Sequence, residues 1–473
     1  MTYERVTVVG GGLAGCECAC QLADRDIPVV LHEMRPCVSS PAHRTDGLAE
    51  LVCSNSLKST RIDSAAGLLK EELRRMGSVL LSCAERASVP AGGALAVDRD
   101  LFSALVAQEI DSRPLIHVVR GEVTEIPEGP CVIAAGPLCS PALSDRVLNL
   151  VGGDALSFFD AAAPIVDAST IDRSIVFSQS RYDDQADGDY LNAPFTKDEY
   201  NTFIDELVRA ERVVLKDFER RDLFQACQPA EEVARTGHDA IRYGAMKPVG
   251  LTDPRTGRRP WAAVQLRAEN AACTAYNLVG FQTNLTFGEQ KRVFRMIPGL
   301  ENAEFFRYGV MHRNTFVDAP HVLDVTFAVP GTQVRLAGQI TGTEGYTEAI
   351  ASGLLAALNT FADMAALPSV SLPRTGAFGS LVAYATNPET VDYQPCMSTL
   401  ASCLPWRTAR DAASAIATPR IPPVPCRTSK RSSFPAVICF PHEGRFRFAG
   451  VHFGCGWGSE CERVRVRFAG VRR

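Results

Sequence analysis

The chain reads as an α/β protein, a Rossmann-like dinucleotide-binding domain carrying a large inserted α/β domain. Three observations predict this: a strand–glycine turn–helix unit at the amino terminus, an acidic residue closing the next strand, and a second strand–glycine–helix unit near residue 340. The run RVTVV is short, apolar and β-branched, and leads into Gly10, Gly11, Gly12, Leu13, Ala14 and Gly15, then into the alanine- and cysteine-rich CECACQLADRDI. Gly10 suits a tight turn, Gly12 lets backbone amides approach a pyrophosphate, and Gly15 allows close helix–strand packing. The following strand, PVVLHEM, ends in Glu33, placed to accept hydrogen bonds from an adenosine ribose.

Pattern alone does not separate FAD from NAD at these glycines. Two later segments favour a flavoprotein. Residues 130–137, PCVIAAGP, form a buried strand broken by Gly136. Residues 334–342, VRLAGQITG, form another strand that runs into glycines before the helical EAIASGLLAALNTF. A second helix N-terminus arriving this late can face a flavin after a long insertion.

Composition bounds the remaining classes. The chain has 473 residues, 46% hydrophobic and 22% charged, with mean hydropathy −0.01, as expected of a globular protein with a sizeable core. No apolar run reaches the roughly 18–20 residues that cross a bilayer, and the first glycines come too early for a signal peptide. The expected location is the cytoplasm, with no membrane partner. Sixteen cysteines spread over this length read as reduced thiols. Cys16, Cys18 and Cys20 do not share one helix face, so no metal is expected there.

The formal charge is −5, so any nucleic-acid site must be a local patch. The charge is uneven: residues 396–473 hold 13 Lys+Arg against 4 Asp+Glu, and residues 1–395 hold 36 against 50. That tail is rich in Pro, Cys and Arg, lacks periodicity, and is expected to be poorly structured. The expected organisation is a first nucleotide-binding part at 1–157, an inserted domain at 158–325, a return segment at 326–395 and the atypical tail at 396–473.

The insertion mixes aromatic clusters with Arg220, Arg221, Arg258, Arg259, Lys291, Arg292 and Arg295, a combination suited to phosphates and stacked bases. Taken singly, each charge reads first as a solvated surface residue. Arg242, Lys247 and His312-Arg313-Asn314 lie in loop-like contexts with glycine, proline and aromatic neighbours. Cys53, in ELVCSNSLK, and Cys227, in LFQACQPAEE, are the thiols whose surroundings suit a nucleophile. Both also read as small buried hydrophobes.

Long segments of the chain carry a family resemblance: HEMRP, PAHRTDGLAELVCSNSLKS, DGDYLNAPFTKDEY, RYGAMKPVGL, YNLVGFQTNLTFGEQKRVFRMIPGLENAEFFRYGVMHRNTF and GQITGTEGYTEAIASG. From about Val6 to Gln394 it resembles the bacterial folate- and FAD-dependent tRNA (uracil-5-)-methyltransferases. The resemblance implies methylation of C5 of uridine 54 in the tRNA T-loop. The one-carbon donor would be 5,10-methylenetetrahydrofolate, with reduced FAD as methylene carrier and reductant and with NADH or NADPH supplying electrons. It implies that Cys53 and Cys227 are catalytic, without deciding which adds to uracil C6; a second group must then remove the C5 proton. It also implies that Gly10, Gly12 and Gly15 lie at the pyrophosphate, Glu33 at the ribose, and Gly338, Gln339, Ile340, Thr341 and Gly342 at the flavin. His43, Asn55 and Glu344 would belong to the same pocket. Arg242, Lys247, Gln282, Arg295, His312 and Arg313 would contact folate or tRNA. Uridine 54 would have to be extruded into the pocket, and affinity for tRNA should fall steeply with salt.

Two related readings stand beside this one: a flavoprotein modifying the wobble uridine of tRNA, and a non-catalytic FAD- and tRNA-binding homologue. Three departures from the family pattern matter. Ala193 replaces a cysteine after YLN, the first helix is unusually rich in cysteine, and the family's glycine- and leucine-containing stretch and final charged helix are missing after Cys396. The abrupt change of composition there suggests a frame-shifted terminus, which resequencing the coding DNA would settle.

Overall fold

The computed structural model describes residues 5–40, 42–152, 156–181, 188–213, 228–391 and 393–398, except for the side chains of 157–159, 312 and 313. Its first core is built on a five-stranded, all-parallel sheet in the order Ile116–Arg120, Val29–Glu33, Val6–Val9, Cys131–Ile133, Val334–Leu336. A parallel sheet covered on both faces needs strands apolar on both sides, and Val6, Val8, Leu31, Val132, Ile133 and Leu336 are all fully buried. Strand succession runs outward from Val6–Val9 first to one side and then to the other. This reversal opens a crevice at the carboxyl end of Val6–Val9, where α/β folds of this kind hold ligands.

Helix Leu13–Ala23 follows the glycine turn and is buried on every side. Two glycines permit this closeness: a Cβ at Gly15 would stand 1.8 Å from the Gly10 carbonyl oxygen, and one at Gly353 would stand 2.2 Å from that of Ala14. Helix Tyr346–Met364 thereby packs directly on Leu13–Ala23. Enclosure also explains Cys16, Cys18 and Cys20, which need no common face because no face of the helix meets water. Burial pushes all three thiols far above their ordinary pKa, so they are packing groups. Among the described residues no cluster of His, Cys, Asp and Glu is arranged to hold a metal ion, and no helix is long and apolar enough to cross a membrane.

The insertion has its own core and an antiparallel sheet, ordered Phe177–Ser178, Tyr190–Phe195, Ala262–Ala268, Ala275–Leu278, Ile165–Asp167, Phe305–Arg307. Helix Lys197–Arg209 packs on it through Tyr200, Phe203, Ile204 and Leu207. It starts at a capping box in which Thr196 and Glu199 bond each other's backbone amides. The chain enters through strand Leu156–Ala161 and leaves through Met311–Phe316, and these two pair antiparallel as a ribbon. Phe316, Val317, Leu323 and Phe327 already belong to the first core. The return to the nucleotide-binding domain therefore begins earlier than the expected residue 326.

Of the tail, Cys396–Ser398 are described, and residues 399–473 lie outside the described part. The short stretch 393–398 straps the second glycine turn. Cys396 N donates to Gly342 O at 2.8 Å, Glu344 N donates to Cys396 O at 2.8 Å, and the Tyr393 hydroxyl donates to Thr341 O at 2.8 Å.

Candidate active site

One cavity of about 340 Å³ lies over the crevice, and its wall includes Gly10, Gly12, Glu33, Cys53, Gly338 and Tyr346. The two helices that reach it, Leu13–Ala23 and Tyr346–Met364, start at Gly12 and Gly345 without a side-chain cap. An uncapped first turn leaves backbone N–H groups and the positive end of the helix dipole for a ligand. A Cβ added at Gly12 would meet nothing within 4 Å, whereas one at Gly10 would lie 2.4 Å from Ala134 O at a φ of +110°. Gly10 is thus required by the turn, and Gly12 keeps open the space a pyrophosphate would use.

At the end of its strand, Glu33 is buried and engaged. Its Oε2 accepts the Gly11 amide at 3.0 Å, and its Oε1 accepts both the Arg35 amide at 3.0 Å and Arg35 Nε at 2.8 Å. Burial opposes the charge, but the Arg35 guanidinium outweighs it and holds the carboxyl below its usual range. A carboxylate oxygen has more than one lone pair, so this anchored group can still accept a ribose hydroxyl from the cavity. His43 lines the same cavity with Nδ1 2.6 Å from Ser40 Oγ. Burial and Arg35 push its pKa down, keeping the imidazole neutral.

Around Cys53 the wall is built from distant parts of the chain. The Tyr346 hydroxyl accepts the amides of Cys53 at 2.9 Å and Ser54 at 3.1 Å, and the thiol points to Ala161 O at 3.6 Å. Arg99 fixes the preceding turn, with Nη1 donating to Leu51 O at 2.7 Å and Nε 2.7 Å from Glu269. The thiol is therefore presented on a rigid turn, partly exposed in the cavity. Lys58, Asp160, Asn314 and Glu344 complete this side. Both Glu344 oxygens accept from Gln339 Nε2, at 2.7 and 2.8 Å. Burial, reinforced by the charge of Asp160, pushes its carboxyl up to about 8. Asn314 is 1% exposed, and its Oδ1 has no hydrogen-bond partner among the described residues. A buried acceptor left unpaired awaits a donor. The open Gly12 cradle, the two uncapped helix starts and this acceptor fit an extended dinucleotide with a polar ring system, as FAD is.

The family described as glucose inhibited division protein A matches residues 5–367 of this chain. A Geobacter sulfurreducens protein named methylenetetrahydrofolate–tRNA-(uracil-5-)-methyltransferase TrmFO is 54% identical over 392 residues, covering 82% of this chain and 90% of that protein. An Enterococcus faecalis protein of the same name is 50% identical over 393 residues, covering 83% and 90%. The chain belongs to the TrmFO family. Among solved structures, Aquifex aeolicus GidA in its form II crystal superposes with a TM-score of 0.63 at 15% identity over 84% of this chain and 69% of that one, a likeness of fold alone.

Not every residue that TrmFO resemblance brings forward lies at the cavity. Asn55 is fully buried behind it, with Nδ2 donating to Val97 O and Ala268 O at 3.0 Å and Oδ1 accepting Arg267 Nε at 2.8 Å. Both of its amide hydrogens and its oxygen are engaged by protein, so it stitches the inserted domain to the nucleotide-binding domain. Gly11 serves by donating to Glu33. Gly15 serves helix packing. Of the second turn, Gly338 and Gln339 reach the wall, while Ile340 and Thr341 are buried beneath it and Gly342 packs against Tyr393.

Of the candidates on the inserted domain, Arg242, Lys247, Gln282 and Arg295 are not part of this wall. Arg242 lies 3.9 Å over the Trp261 ring and donates Nε to Trp261 O at 2.8 Å. Arg295 donates Nε to Ala303 O at 2.9 Å and pairs with Glu304 at 2.7 Å. The Gln282 carbonyl accepts the Ala230 amide at 2.7 Å, and Lys247 is half-buried near Gly244. The backbone of His312 pairs with Asp160 and that of Arg313 with Phe159 in the ribbon. Cys227, Arg220 and Arg221 lie outside the described residues. Sequence reasoning singled out Asn314 within the stretch His312–Asn314 but missed Tyr346, Asp160 and Lys58 as wall residues. Only Tyr346 carried a signal, standing directly after a glycine at a helix start.

Proposed function

We propose that this chain methylates C5 of uridine 54 in the T-loop of tRNA, with 5,10-methylenetetrahydrofolate as one-carbon donor, FAD as resident cofactor, and NADH or NADPH as electron source. The observation that carries the reading is the presence of Cys53 in the wall of the same cavity as the glycine turn and both helix N-termini. Gly10, Gly12 and Glu33 would hold the nucleotide end of FAD, and Gly338, Gln339 and the start of helix Tyr346–Met364 would hold its ring. When bound, FAD supplies the redox chemistry and carries the one-carbon unit between folate and base.

The chain's own residues prepare the base. Uracil C5 becomes nucleophilic only when a group adds at C6, and a thiolate is suited to that addition. The C5 proton must then leave to a positioned base. Cys53 is assigned to one of these roles and Cys227 to the other. Tyr346 holds the Cys53 backbone still, and Arg99 anchors the turn before it. Glu344, kept protonated near neutral pH by burial, is placed to donate a hydrogen bond within the cavity. An enzyme of this kind works where tRNA is, in the cytoplasm.

The test is direct. Purified full-length protein should be yellow and, given unmodified tRNA, 5,10-methylenetetrahydrofolate and NADH or NADPH, should form 5-methyluridine that nucleotide mapping places at position 54. A modified base at the wobble position, or flavin binding with no methylated product, would overturn the assignment.

A further inference from the structure

The acidic groups buried in the cavity wall are already bonded to protein. Glu33 is held by Gly11 and Arg35, Glu344 by Gln339, and Asp160 accepts the Ala161 amide. Asn314 is different. Several buried side-chain atoms lack a hydrogen-bond partner among the described residues, and of these Asn314 Oδ1 is the one that lies in the cavity wall. Asn277, whose Nδ2 is also unpaired, lies off the wall. An amide oxygen kept from bulk water costs free energy until a donor reaches it, and a ligand that fills the cavity must bring that donor.

The fold fixes Asn314 next to the turns assigned to the flavin ring. Its neighbour Thr315 donates its amide to Pro137 O at 3.0 Å, and Val317 donates to Ile340 O at 2.9 Å. Asn314 is thereby pinned between the turn after strand Cys131–Ile133 and the second glycine turn, whose Gly338 and Gln339 line the same cavity. Asp160 and Asn314 are diagonal neighbours across the ribbon and so share a face; both line the cavity. Donors come from the uncapped start of helix Tyr346–Met364, where Gly345 and Tyr346 belong to the wall. Free N–H groups there suit carbonyl oxygens. Acceptor and donors together complement a ring edge in which one N–H stands between two C=O groups.

We propose that Asn314 recognises such an imide edge, its Oδ1 accepting the ring N–H. The ring system of oxidised flavin has a single N–H, and it lies in this edge; uracil presents the same three groups. Position favours flavin, because the strand carrying Asn314 is tied to both turns, whereas the Cys53 thiol meets the ribbon further along, at Ala161 O. The inference rests on the FAD of the proposed function and names the residue that registers its ring. A ring without that N–H leaves the acceptor unpaired and is disfavoured.

The experiment uses full-length wild type, Asn314→Leu, which removes the acceptor at similar volume, and Asn314→Asp, which retains one. Flavin-depleted protein is titrated with FAD and with FAD methylated at ring N3, and its thermal midpoint is recorded without flavin. Flavin-loaded protein is titrated with tRNA transcripts carrying uridine or N3-methyluridine at position 54. Wild type should bind FAD about tenfold more tightly than its N3-methyl form, and Asn314→Leu should bind the two alike, at about the weaker affinity. Asn314→Asp should recover the preference for FAD. The flavin-free midpoint of Asn314→Leu should equal or exceed that of wild type, which loss of a structural hydrogen bond would not allow. If the flavins bind alike and the preference appears between the transcripts, in wild type and not in Asn314→Leu, the imide edge stands with uracil as its source. No preference in either pair would overturn the proposal, as would one that survives Asn314→Leu or midpoints lowered in both variants. Wild type that takes up neither flavin would overturn the proposed function as well. Bound flavin without methylated tRNA would overturn that function alone, and the N3 preference would still decide the role of Asn314.

Discussion

The two sides of the cavity differ in how their polar groups are spent. On the nucleotide side, Glu33, Arg35 and Gly11 bond one another, and behind the wall Asn55 is saturated by Val97, Ala268 and Arg267. On the side reached through the ribbon, Asn314 keeps its buried Oδ1 without a hydrogen-bond partner among the described residues. The contrast teaches that a buried polar residue can be read by its partners. Asn55 is spent on architecture, whereas Asn314 in the cavity wall keeps an acceptor for a ligand.

That contrast can be broken by substitution. The largest expected effect is chemical: Cys53→Ala should lower the rate of 5-methyluridine formation by about a hundredfold to ten-thousandfold, while the flavin absorbance of the purified variant stays at the wild-type level. Retained activity would remove Cys53 from the mechanism. Next is Asn55→Ala, which takes a partner from Arg267 Nε and from two buried carbonyls. It should cost about 3 kcal/mol of stability, seen as a lowered denaturation midpoint. A neutral result would erase the distinction between saturated and waiting groups.

A third test uses pH. The Glu344 carboxyl is raised to about 8, so between its unfolded value near 4.5 and about 8 the folded state holds a proton that the unfolded state has lost. The stabilisation from this proton is complete below the unfolded value and is lost as pH rises through that window, at up to about 1.4 kcal/mol per pH unit. Glu344→Gln should flatten the fall in thermal midpoint from pH 5 to pH 8. Parallel curves for variant and wild type would count against the raised pKa. The smallest effect on the fold is expected at Gly12→Ala, whose Cβ meets open space. Its melting curve without added flavin should match wild type while its affinity for FAD falls. Gly10→Ala should instead destabilise the protein itself.

How much of this was legible in the sequence follows from the same division. The glycine turn, Glu33 and the late turn at Gly338 were readable because their chemistry is local: each needs only a strand end, a tight turn and a helix start within a few residues. Asn55 sat in a motif that resembled a pocket segment, yet its bonds reach Arg267, more than two hundred positions away, and no local pattern reports that. Arg242 and Arg295 looked like free cations, but Trp261 and Glu304 claim them through the folded sheet. Asn314 stood out only as part of the stretch His312–Asn314, because an unpaired acceptor has no signature in spacing. For the three cysteines of the first helix periodicity was the wrong measure, since an enclosed helix has no outer face.

The ribbon formed by Leu156–Ala161 and Met311–Phe316 has a consequence for ancestry and engineering. Because the chain departs and comes back at adjacent points, with Ala161 opposite Met311, a short turn between these two would close the loop without stretching the parent sheet. The inserted module could therefore have been spliced into an older nucleotide binder at little cost to its host. A shortened chain carrying that turn is the natural scaffold for asking how much flavin affinity the host possesses on its own.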